Sequence, residues 1–244
     1  MSARWTDGDG DGQVDVVLRR HLVRTAFAPI VTLESGLTSG FRAVTRGPIG
    51  SSLEHAHNLY AAASRRGLLA QCDELCFENA VEAATRAKLH TPLAVIVRRD
   101  ASYTPSPSER DFPIVIELDA SAVSEKTLID ACLRARAAGY AVALRAGRDD
   151  LPTDAGFAPD LVLVDVHRTE PGMLDAIPST ALLIAEGLDA EGDLERARSL
   201  GIDYGCGPRF GRPDLLVRSP AVFDRRGLLN IAIARHDDPT KVAG

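Results

Sequence analysis

Apolar positions along the chain fall into short runs separated by segments of helical period. The run Ala26-Phe27-Ala28-Pro29-Ile30-Val31-Thr32-Leu33, a turn at Glu34-Ser35-Gly36, and Ser39-Gly40-Phe41-Arg42-Ala43-Val44 predict a β-hairpin. Apolar residues at helical spacing predict amphipathic helices over 52–66 and 69–88. Further strands are expected at Leu93 to Val97, Ile114 to Leu118, Ala141 to Leu144, Leu161 to Val166 and Ala181 to Ala185. Helices are expected at Glu125 to Ala138 and Ala190 to Leu200, each ended by a glycine. Short apolar runs alternating with helices argue for parallel strands joined by crossovers. So many units in one domain predict an α/β fold of the (β/α)-barrel type.

Not every crossover carries a helix signal. Arg98 to Pro113 includes Ser102-Tyr103-Thr104-Pro105-Ser106-Pro107-Ser108, which repeated Pro and Ser keep from forming a helix. The links at 146–160 and 167–180 are short and rich in Pro, Gly or Asp. The expectation is a barrel trimmed of about three outer helices, with the first of these links crossing as a loop. Residues 1–21 read as a polar tail, 22–235 as the barrel domain and 236–244 as a second tail. Asp7-Gly8-Asp9-Gly10-Asp11 imitates the start of a calcium loop, but Leu18 stands where a bidentate acid should close the shell. A solvated acidic tail fits that segment better.

Composition narrows the function. The 244 residues suit one domain, 45% are hydrophobic and 25% charged, and the chain is long enough to bury a sizeable core. Acids outnumber bases 34 to 28, for a net charge of -6, which disfavours nucleic acid as a partner. No apolar run reaches the ~18 residues of a membrane helix. No apolar signal core follows Met1, so a cytoplasmic location is expected. The four cysteines, Cys72, Cys76, Cys132 and Cys206, need form no disulfides in a reduced compartment. Cys72 and Cys76 share a helical face without a second metal-ligand pair and read as small core residues. His55, His57 and His167 show no metal spacing, and His55 and His57, two apart in a helix, should not share a face. HExxH, GxSxG and P-loop patterns are missing and offer no catalytic chemistry, and no cofactor is expected.

Four segments in order resemble one family. Phe27-Ala28-Pro29-Ile30-Val31-Thr32-Leu33-Glu34-Ser35-Gly36 is similar to its "F-Q-P-I-V-x-L-x-T-G", and Gly40-Phe41-Arg42-Ala43-Val44-Thr45-Arg46 to its "G-[FY]-E-A-L-x-R". Leu183-Ile184-Ala185-Glu186-Gly187-Leu188-Asp189 is similar to "v-A-E-G-V-E". Leu200-Gly201-Ile202-Asp203-Tyr204-Gly205-Cys206-Gly207, with Phe210 and Pro213, is similar to "l-G-x-d-x-x-Q-G-[YF]-x-f-x-x-P". Together, over roughly 22–222, these resemble the EAL domain, the bacterial cyclic di-GMP phosphodiesterase module. The resemblance implies a modified TIM-type (β/α) barrel of the EAL kind, some outer helices shortened or missing. It also implies a two-metal site that activates water against a phosphodiester.

The residues that would carry that chemistry depart from the pattern. Where the family has acids, amides and a lysine, this chain has Arg42, Ile96, Arg145, Ala146, Leu163 and Cys206, and of eight such positions only Glu117 and Glu186 keep the family's residue. Asp149 and Asp150 lie beyond the expected Asp pair, in a loop that could in principle reach in. Cys206 has no evident base beside it and reads as packing. Arg42 and Arg145 put fixed cations where metal-binding acids stand in the family. Either they pair with Glu117 and Glu186 in one cavity, or all four face solvent at a worn mouth. Arg46 matches the family's phosphate-contacting Arg, whereas Ala28 replaces its base-contacting Gln. Arg42, Arg46, Glu117, Arg145 and Glu186 therefore form the candidate pocket, with no catalytic residue and no metal ligand among them. The expected role is a catalytically inactive regulator that binds an unknown protein partner. Its first rival is a sensor that binds cyclic di-GMP or another anion weakly without cutting it. A working phosphodiesterase is the more distant alternative.

Overall fold

The hairpin opens a closed eight-stranded barrel whose strands stand in sequence order. β1 (Arg24–Thr32) and β2 (Thr38–Arg46) pair antiparallel, with Ala28 opposite Arg42. β3 (Ala94–Arg98), β4 (Ile114–Asp119), β5 (Ala141–Arg145), β6 (Leu161–Asp165) and β7 (Leu182–Glu186) follow in parallel. β8 (Tyr204–Gly205) lies parallel to β7 and antiparallel to β1, which closes the ring. The computed structural model describes residues 10–103, 111–145, 158–175 and 177–228.

The two-residue period of the strands sorts the core into layers. Inward residues Ile30, Ala94, Ile96, Val115, Ala143, Leu161, Leu163, Leu182, Ile184 and Tyr204 fill the barrel as one buried cluster. The interior is thus packed, as in other eight-stranded (β/α) barrels. The alternate residues Val95, Val97, Ile114, Ile116, Leu118, Val142 and Leu144 face outward. They pack on Ala80 and Ala84 of α3 (Leu69–Arg86) and on Leu128, Ala131 and Ala135 of α4 (Glu125–Ala137). Beyond β6, the outward Val162 and Val164 meet Leu194 and Ala197 of α6 (Glu191–Ser199). α2 (Ala56–Arg65) precedes α3, whereas α5 between β6 and β7 is a single turn, Pro171–Leu174. The outer layer is therefore short there, and no described residue of the β3–β4 link is helical. Most of that link's Pro/Ser run lies outside the described residues, as do Ala146, Asp149 and Asp150 of the β5–β6 link. Among the described residues no helix is long and apolar enough to cross a membrane.

Three features correct the reading of the sequence. Within the stretch expected to be a polar tail, Gly10–Arg19 forms helix α1. Val14, Val17 and Leu18 stand at helical spacing and are buried with Leu59, Ala62, Cys72 and Leu75 of α2 and α3. The apolar face was short enough to be masked by the acids and glycines around it, and a calcium loop has no place from Gly10 onward. Second, Tyr204–Gly205 is a strand, although two residues show no period. Gly207 just after it passes against the Leu188 backbone, leaving no room for a Cβ. Third, residues 211–228 run along β1 and back against the start of β2. Asp214 and Phe27 exchange backbone hydrogen bonds, and the Asp224 amide donates to the Thr38 carbonyl. The Asp224 carboxylate accepts from Thr32 Oγ1 at 2.8 Å, and Leu228 joins the barrel's inner cluster.

Candidate functional site

The barrel's inner face turns from apolar to charged at the carboxyl ends of its strands. Two residues beyond Val115, Ala143 and Ile184, the same inward face carries Glu117 on β4, Arg145 on β5 and Glu186 on β7. Arg42 enters from β2, whose register places it beside Ile96. The structure brings these four side chains together. Arg42 Nε donates to Glu117 Oε2 at 2.7 Å and its Nη2 to Glu117 Oε1 at 2.5 Å. Arg42 Nη1 donates to Glu186 Oε1. Arg145 Nε donates to the remaining oxygen, Glu186 Oε2, at 2.9 Å, and its Nη1 lies 4.0 Å from Asp119. Every carboxylate oxygen of both acids thus accepts from a guanidinium. Two positive and two negative charges cancel within the quartet.

Its members differ in solvent access. The Glu117 side chain is 2% exposed and Glu186 13%, against 22% for Arg42 and 51% for Arg145. Burial works against the Arg42 charge, yet Glu117 and Glu186 together raise its pKa well above the ordinary guanidinium value. The Glu186 carboxylate likewise raises that of Arg145. The Cys206 thiol is buried beside the quartet. Burial, then the two carboxylates, push its pKa up to about 12, so it stays a neutral thiol.

Arg46, the fifth candidate, stands apart. It ends β2, its backbone bridges to His55, and no described residue makes an ion pair with its side chain. His55 precedes α2 in extended conformation, which lets its ring stack on His57 with centroids 5.9 Å apart. The expectation that these two histidines face apart assumed that both were helical. Arg98, on the inner face of β3, turns to the Tyr60 ring, 4.7 Å away. A second charged cluster, outside the barrel, went unread in the sequence. Arg99 donates to Asp73 at 2.7 Å and to Glu74 at 2.6 Å, over the rings of Phe77 and Tyr103. The partners of Arg99 lie 26 and 25 residues away in sequence, so no local spacing marks the pairing.

Divalent ions of the kind the resemblance implies require several oxygen ligands. Here Glu117 and Glu186 are saturated by arginine, Ile96 and Leu163 are fully buried apolar residues, and Cys206 is a neutral thiol. These residues do not fit a two-metal centre. Among the described residues no group of three or more His, Cys, Asp or Glu is placed to hold a metal.

No family model matches the sequence, and no curated protein matches it either. Solved structures do. The EAL domain protein from Listeria monocytogenes EGD-e superposes with a TM-score of 0.69 at 14% identity, over 86% of this chain and 96% of that one. The FimX EAL domain of Xanthomonas citri, in complex with c-diGMP, gives 0.68 at 16% identity over 86% and 94%. The EAL enzyme Bd1971, in its cAMP- and cyclic-di-GMP-bound form, gives 0.67 at 15% identity over 84% of this chain, which spans only 66% of Bd1971. With the closed barrel, its antiparallel first strand and its strand order, these likenesses establish that the chain has the fold of EAL domains.

Proposed function

We propose that the chain is a non-hydrolysing EAL-fold domain that acts as a cytoplasmic regulator through contacts with a partner protein. One observation carries this reading: every carboxylate oxygen of Glu117 and Glu186 accepts from Arg42 or Arg145. So occupied, neither acid has an oxygen free to hold metal ions against a phosphodiester. Partner contact draws support from Leu215, Val217 and Val222, exposed apolar residues on the 211–228 segment. A second reading is a sensor that binds cyclic di-GMP, or another anion, without cutting it. It is favoured by the neighbours solved with that nucleotide and by Arg46, whose charge no described acid pairs. Titration calorimetry with cyclic di-GMP, with and without Mg²⁺ or Mn²⁺, separates the two. Silence supports the partner-binding regulator. Saturable binding without turnover moves the reading to the sensor, and metal-dependent turnover overturns both.

A further inference from the structure

Residues 211–228 present surface that the barrel does not use. Leu215 is 62% and Val217 84% exposed, whereas Leu216 between them packs on the outer-layer cluster, as does Phe223 further on. That two-residue alternation is the pattern of extended chain. The chain is pinned on either side, where Asp214 exchanges backbone hydrogen bonds with Phe27 and the Ser219 amide donates to the Ala87 carbonyl. Between those points no described residue bonds the backbone amides or carbonyls of Leu216, Val217 and Arg218. Free backbone groups beside outward aliphatic side chains are what an added strand takes up at an edge. Charge narrows the occupant. Arg212, Arg218 and Arg225 are exposed and pair with no described acid, while the Asp224 carboxylate is held by Thr32 and Arg226. Within the segment only Asp214, accepting from the Leu215 amide, offsets them. This stretch is thus positive on a chain whose net charge is -6. Two copies meeting through it would set arginine against arginine, which disfavours self-association here.

We infer that residues 212–218 are a docking edge for an extended acidic segment of another protein, whose carboxylates pair with Arg212 and Arg218 and whose aliphatic residues cover Leu215 and Val217. The inference rests on the proposed partner-binding role and names the chemistry of the partner. Its failure would leave that role to another surface, whereas the cyclic di-GMP calorimetry judges the role itself. The probe is a short fluorescein-labelled peptide alternating glutamate and valine. It is titrated with the full chain and followed by anisotropy, and the complex is then mapped by backbone hydrogen exchange. Saturable binding is expected, lost in about 1 M salt, with exchange slowed at the amides of 215–218. Val217→Asp and the double variant Arg212→Glu/Arg218→Glu change only exposed side chains, so both should keep the wild-type Tm. Each should weaken binding by about tenfold or more. A lysine–valine peptide and phosphatidylserine vesicles should not bind. No saturable binding of the acidic peptide, unchanged affinity in either variant, protection confined to other residues, or preference for the vesicles overturns the inference.

Discussion

The two arginines of the quartet differ in what their loss should cost. Arg42 holds a carboxylate that is 2% exposed, so Arg42→Ala strands a buried charge and should destabilise by about 3–5 kcal/mol in denaturant melts. Arg145 is half exposed, and Arg145→Ala should cost only about 0–1 kcal/mol. A double-mutant cycle between Arg42 and Glu117 should show strong coupling, and additive losses would contradict the pairing. Cys206 offers an independent check. A buried thiol with its pKa pushed up to about 12 should resist a thiol reagent at pH 8 until the chain unfolds, and rapid labelling of the native protein would contradict its placement. That acids and arginines share this mouth was legible, because residues 42, 117, 145 and 186 fall in motifs that place them at strand ends. That one guanidinium spans both acids was not legible, since it depends on how the closed barrel sets β2 across from β4 and β7.

Elements were readable in proportion to their length. The hairpin, α3 and α4 each repeat their period several times. β8, with two residues, has no period to repeat, and α1 shows only three buried apolar positions in an acidic setting. The 211–228 segment went unread because its role is tertiary: it is held by Asp214, Asp224 and Leu228 acting on β1, β2 and the barrel interior. If that segment belongs to the core, Leu228→Ala should cost about 2–5 kcal/mol, and a loss below about 0.5 kcal/mol would detach it. The Arg99 cluster makes a pH prediction for the α3–β3 packing. Burial pushes the Asp73 carboxyl up to about 6 from an ordinary 3.8, although Arg99 pulls the other way. The folded state therefore binds this proton more tightly than the unfolded one. Asp73's contribution to stability should fall as pH rises from about 4 to 6 and level off above. Against Asp73→Asn, which does not titrate, the wild-type advantage should shrink by on the order of 2–3 kcal/mol between pH 4 and 7. An advantage that grows over that window would contradict the assignment.

At the scale of the whole molecule, the barrel follows from alternation inside each strand and helices between strands, and a chain only 14–16% identical to solved EAL domains keeps both. On the proposed reading, fold and chemistry part company at the carboxyl ends of the strands. Packing needs only apolar residues of the right period on the inner wall, which Ile96, Leu163 and Ile184 supply. Metal-assisted hydrolysis needs free oxygens in a fixed array, and here arginine takes them. The most direct measurement is a phosphodiesterase assay of the purified full chain on cyclic di-GMP with saturating Mn²⁺, alongside Glu117→Ala. The expected result is no turnover above the metal-only blank for either protein. Mn²⁺-dependent hydrolysis by the wild type, lost in Glu117→Ala, would contradict the non-hydrolysing reading.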